Sequence, residues 1–201
     1  MPRHLKYGLL ALLIITGLGV AYYFNLQGRI RQLVVPAREP VQPFLSGRPV
    51  FPESAPTRRV TLFFPSRVRD GMLEPELRDI HSSAQWTDEA KQIMGELIRG
   101  SNEGRPPALS VDTRLRSIFW AGEGLCVVDL TREAASSHPG GLTSEVSTVY
   151  AIVNSLTENL TAVRKVQILI EGNEVETLAG HVDISQPMVQ DLSMTPLPPR
   201  D

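Results

Sequence analysis

The chain has 201 residues, 42% of them hydrophobic and 21% charged, with 16 prolines and a single cysteine. That composition fits one globular domain with accessory segments and excludes a disordered chain and a disulfide scaffold. Residues 1–57 hold six Lys/Arg against two acids and the remainder fourteen against twenty, so the main domain is acidic and would repel nucleic acid or another polyphosphate.

The first element is an uncharged run of eighteen residues, Tyr7 to Phe24, behind Arg3 and Lys6. As a helix at about 1.5 Å per residue it spans roughly 27 Å, enough to cross a bilayer core of about 30 Å. A cleaved signal peptide is the competing reading, but the run exceeds a usual signal core and no small-x-small pattern follows it closely. A lipidated cysteine is not expected, because the only cysteine is Cys126, in the apolar setting GLCVVDL, where burial and inertness are expected. The sequence therefore predicts a cytoplasmic tail at 1–6, a signal anchor at 7–24, and a single-pass protein of the cytoplasmic membrane with its domain on the outer side. Residues 25–57 follow, with six prolines between Pro36 and Pro56, as an extended spacer.

The domain is expected over 58–187. RRVTLFF (58–64) and MLEPELRDI (72–80) read as strands, with Pro75 confined to an edge or bulge. WTDEAKQIMGELIRG reads as an amphipathic helix through Ala90, Ile93, Met94, Leu97 and Ile98, capped by Thr87 and stopped by Gly100. RLRSIFWAGEGLCVVDLTRE is a hairpin around Gly122 and Gly124, and residues 145–160 return to helical spacing through Val146, Val149, Tyr150, Val153, Leu156 and Leu160. KVQILIEGNEVETL (165–178) reads as a last hairpin turning at Gly172 and Asn173; LAGHVDISQP then alternates as a half-buried strand would. The order ββα, ββα, ββ predicts an α+β fold with two amphipathic helices on mainly antiparallel sheet. Residues 188–201, with three prolines, read as a mobile tail.

VYAIVNSLTENLTAVRKVQILIEGNEVETLAGHVDISQP (149–187), preceded by GLCVVDLTRE, resembles the GerMN domain, named for the spore-germination protein GerM. The residues that carry the resemblance include Asn154, Leu156, Gly172, Gly180, His181 and Asp183, and the earlier half matches in arrangement. The resemblance implies an extracytoplasmic module without an established catalytic site, similar in fold to the ring-building motifs of sporulation channel proteins. This chain departs in carrying one copy and a transmembrane anchor.

An enzyme would need more than His181-x-Asp183. On a strand the two would share a face, about 6.5 to 7 Å apart, close enough for the carboxylate to orient the imidazole. No nucleophile is assignable beside them, no metal-ligand spacing links His81, His138, His181, Asp129, Glu133 or Asp183, and no phosphate-binding glycine loop is present. The six signature residues are therefore expected to be structural, with no cofactor, metal or catalytic residue. Three functions remain: a non-enzymatic assembly module binding envelope proteins or itself; a peptidoglycan-binding module using Trp86, Trp120 or Tyr150; and a cell-wall hydrolase or amidase accessory.

Overall fold

A computed structural model describes Thr16, Tyr22 and residues 55–195. The chain divides into two compact units, Met1–Gln42, in which both described residues are helical, and Pro43–Asp201, which contains every element below. Apart from Thr16 and Tyr22, the expected anchor lies outside the described residues, as does nearly all of the proline spacer; among the described residues no helix is long and apolar enough to cross a membrane.

Strands β1 (Thr57–Pro65) and β2 (Leu73–His81) form a two-stranded antiparallel sheet, in register from Thr57 opposite His81 to Pro65 opposite Leu73. Pro75 lies opposite Phe63, whose N–H points away from β2 to the hydroxyl of Ser155 at 3.0 Å. That cross-strand pair is therefore of the non-hydrogen-bonded kind, and the N–H that proline lacks would have faced the free edge. β2 turns two charges inward, Glu76 and Arg78, both buried. Glu76 accepts from Arg78 Nε (2.7 Å), Asn102 N (2.9 Å), Arg105 Nη1 (2.9 Å) and the Ser101 hydroxyl. Burial opposes ionisation there, but these donors prevail and hold the carboxyl at about 2. Arg78 also donates to Glu96 and to the carbonyl of Gly100, so the network fixes the chain where the next helix ends.

That helix, α1 (Trp86–Arg99), buries Ala90, Ile93, Met94 and Leu97 as the periodicity predicts. Its cap differs from expectation. Gln85, not Thr87, is the N-cap and its side chain makes no capping bond; Ser83, just outside the helix, donates its N–H to Glu89 and its hydroxyl to Asp88. The hairpin β3 (Leu115–Trp120) and β4 (Leu125–Leu130) follows, its turn holding Gly122, Glu123 and Gly124 at φ of 90°, 48° and 78°. After a short helix α2 (Glu133–Ser136) comes α3 (Leu142–Asn159), and then β5 (Lys165–Ile170), which runs parallel to β4.

The α+β class and the mainly antiparallel pairing match expectation, but the last ββ does not form. Glu171 and Gly172 make a tight turn at φ of 53° and 78°, closed by a bridge between Ile170 and Asn173, and the returning chain then leaves the sheet. β5 is instead flanked by β6 (Met188–Val189), giving a four-stranded order β3-β4-β5-β6. Residues 188–195, expected within a mobile tail, thus carry a strand and a turn of 3₁₀ helix at Leu192–Met194.

The periodic stripe of α3 understates its burial. Val149, Val153, Leu156 and Leu160 are buried as expected, while Val146 and Tyr150 are only half-buried. Ser147, Thr148, Ala151, Ile152, Asn154 and Ser155 are buried as well, because the helix packs against β1, β5, β6 and α1 rather than one sheet. Its polar side chains then act as a strand. Asn159 accepts from Thr61 N (2.8 Å) and donates to Thr61 O (2.7 Å), and Ser155 accepts from Phe63 N, which completes the outer edge of β1. Asn159→Leu removes a donor and an acceptor from a part-buried backbone edge and is expected to cost about 2 kcal/mol in urea denaturation, with an unchanged m-value.

Candidate functional site

The stretch expected to be a strand, LAGHVDIS, is a closed loop. Leu178 and Ile184 are buried and anchor its ends, Thr177 bridges to Asp183, and Ile184 N donates to Glu176 O at 2.8 Å. Alternation misleads here because the buried residues mark two anchor points rather than one face of a pleated strand. Gly180 has φ of 100°, which a side-chain-bearing residue rarely adopts, and its N–H donates to Thr177 Oγ1.

The loop is wrapped around a carboxylate. Glu145, in the first turn of α3, is fully buried and accepts from Ala179 N (2.8 Å), His181 N (2.9 Å) and the N–H of Val182. Its Oε2 is also 3.2 Å from His181 Nδ1. Burial pushes the acid toward neutrality, yet these backbone donors outweigh it and hold the carboxyl below the ordinary glutamate value. His181 therefore has an orienting carboxylate, but it is Glu145 and not Asp183. Asp183 is tied to its own chain, accepting from Ser185 N (2.9 Å) and Ser185 Oγ (2.6 Å), which lowers its pKa.

His138 occupies a second fixed position near this cluster. Its Nδ1 accepts from Gly140 N at 3.0 Å, so the ring proton sits on Nε2 and is donated to Thr148 Oγ1, whose own hydroxyl donates to Ala108 O. Burial pushes its pKa down, with Glu145 pulling the other way. The other signature residues are dispersed. Asn154 exchanges two bonds with Asp191, through Nδ2 to Asp191 O (2.7 Å) and from Asp191 N (3.0 Å); Leu156 is buried in the core; Gly172 donates to Asp129 Oδ1 at 2.8 Å in its turn. Asp129 is raised by burial, against that bond and the nearby Arg116.

Chemically, the Glu145–His181 pair fixes one ring nitrogen and leaves the half-exposed imidazole accessible, but among the described residues no activated nucleophile accompanies it. The buried thiol of Cys126 is pushed up to about 12 by desolvation. Among the described residues no group of three or more His, Cys, Asp or Glu could hold a metal ion. Glu145 was legible as an acid suited to the helix's positive end. Its position four before Val149, in line with the apolar stripe, is the signal that it is buried.

Two small sheets joined by one deeply buried helix, with an irregular loop wrapped on that helix's first turn, define an α+β module with no assembled catalytic constellation among the described residues. The family model described as Germane, sporulation and spore germination, matches residues 61–176, and the chain belongs to that family. The match contains Asn154, Leu156 and Gly172 and stops before Gly180, His181 and Asp183. Among solved structures, the chain is similar to the tandem GerMN domains of the sporulation protein GerM from Bacillus subtilis, with 19% identity over 71% of this chain and a TM-score of 0.52; it spans about half (48%) of that protein. The first GerMN domain of the same protein gives 17% identity, 68% of this chain, 96% of that chain and a TM-score of 0.46. A candidate lipoprotein from Clostridium perfringens gives 23%, 70%, 92% and 0.48. No curated protein matches the sequence.

Glu145→Ala leaves three backbone N–H groups and His181 without their acceptor, and is expected to lower stability by about 3 kcal/mol, with Glu145→Gln losing less. Acid should weaken the fold in two ranges. The folded state holds His138 below its ordinary 6.5, so that contribution is full above 6.5 and lost as pH falls below it. Glu145 is held below 4.5, so its contribution is full above 4.5 and lost as pH falls further. Chemical denaturation at stepped pH checks this: His138→Gln should flatten the upper step and leave the lower one.

Proposed function

We propose that this chain is a non-enzymatic module for protein–protein assembly in the cell envelope, tethered to the cytoplasmic membrane by Tyr7 to Phe24 and carried on the proline-rich segment beyond it. The observation that carries this reading is the use made of Glu145 and its neighbours. The carboxylate that orients His181 is fully buried and also takes the backbone N–H groups of residues 179, 181 and 182, as expected of a scaffold. Asp183 and His138 are likewise engaged in local hydrogen bonds that set chain geometry. Family membership agrees with this reading, since tandem GerMN domains form part of a protein described as a sporulation protein. The envelope placement rests on the eighteen-residue apolar run and the basic residues before it.

Site-specific photocrosslinking in intact cells, with the probe placed in turn at exposed positions of the domain, tests the assembly role. Discrete adducts confined to one face, retained in His181→Ala at wild-type expression, are expected. The reading fails if purified full-length protein degrades cell-wall material and His181→Ala, still folded, abolishes that turnover. Protease added to spheroplasts should digest the domain; protection of residues 57–195 would overturn the outward placement.

A further inference from the structure

We infer that the end of the domain formed by the β3–β4 turn carries a binding site for a neutral glycan, centred on Trp120. This site is separate from the assembly role and from the Glu145–His181 loop. Trp120 closes β3 opposite Cys126 and is 40% exposed, whereas Trp86, which opens α1, is half-buried against the core. The two rings meet edge to face, with centroids 5.5 Å apart at 67°, so the inner indole fixes the orientation of the outer one. Among the described residues neither indole N–H makes a hydrogen bond.

The adjoining turn adds charges that the fold does not use. Glu123 is exposed and sits at φ of 48°, a conformation that glycine would adopt without cost, between Gly122 and Gly124. Gly124 is in turn overlaid by the side chain of Arg164: a Cβ there would fall 3.0 Å from Arg164 Cγ. Arg164 is itself exposed, and its backbone N–H donates to Gly124 O. Among the described residues neither Glu123 nor Arg164 makes an ion pair or a side-chain hydrogen bond. An unpaired carboxylate and an unpaired guanidinium thus belong to the turn that follows the exposed Trp120, Glu123 within it and Arg164 laid over its Gly124.

This inventory selects a ligand class. A pyranose ring offers an apolar C–H face to stack on an indole and a rim of hydroxyls that both donate and accept, which Glu123 and Arg164 complement. Glu123 would oppose a polyanion such as nucleic acid. An apolar protein segment would leave both charges facing it unpaired.

The test is an amide-shift titration of full-length protein, held in a detergent without a sugar headgroup, with a soluble hexasaccharide of β-1,4-linked N-acetylglucosamine. Saturable shifts are expected at residues 120–124 and at Arg164, unaffected by salt. Trp120→Ala should weaken binding about tenfold. Glu123→Gly relaxes the turn, so that misfolding cannot explain its effect, and should weaken binding about threefold. The proposal is overturned if the glycan produces no saturable shift, if Trp120→Ala binds as tightly as wild type, if the shifts map instead to Leu142 and His181, or if only a polyanion produces them.

Discussion

Five separate stretches of this domain are held by polar side chains from one buried helix. α3 lies too deep for water to satisfy its polar groups, so each must find a partner in the chain that covers it. Glu145 takes the backbone of 179–182, Thr148 the carbonyl of Ala108 and the ring of His138, Asn154 the backbone of Asp191, Ser155 the N–H of Phe63, and Asn159 both backbone groups of Thr61. Apolar burial around Ile152, Val153 and Leu156 drives the helix inward. The polar residues then decide which segment lies where, because a slipped segment would leave a buried carboxylate or amide unpaired.

The same reasoning explains which parts of the fold could be read from sequence. β1, α1 and the β3–β4 hairpin follow local signals: alternation or near-continuous β-branched and aromatic runs, a period of 3.6 ending at Gly100, and glycines that supply positive φ at the AGEG turn. The region after β5 depends on tertiary partners instead. EGNE does make a turn, but the returning strand finds no neighbour because β5 already pairs with β4 on one side and with Met188–Val189 on the other. LAGHVDIS alternates like a strand only because its two buried anchors and its polar residues happen to interleave.

The histidine illustrates the same limit at the level of the site. Sequence spacing brought Asp183 to His181, and the fold brings Glu145, thirty-six positions away. A residue two positions away on a supposed strand is a weak guide when the backbone between them is free to fold on itself around a buried charge. The family resemblance was legible across the helix and strand, which repeat an ordered pattern of residue types, whereas the structural reason for the loop's composition lay in the helix before it.

The alternation along β1 has one more consequence. Val60 and Leu62 turn their amides toward β2, while Thr61 and Phe63 offer theirs to the side chains of α3. Hydrogen exchange along this single strand therefore separates two opening events. Amides at even positions report parting of the hairpin, and those at 61 and 63 report undocking of the helix, so adjacent residues can differ widely in protection within one continuous strand.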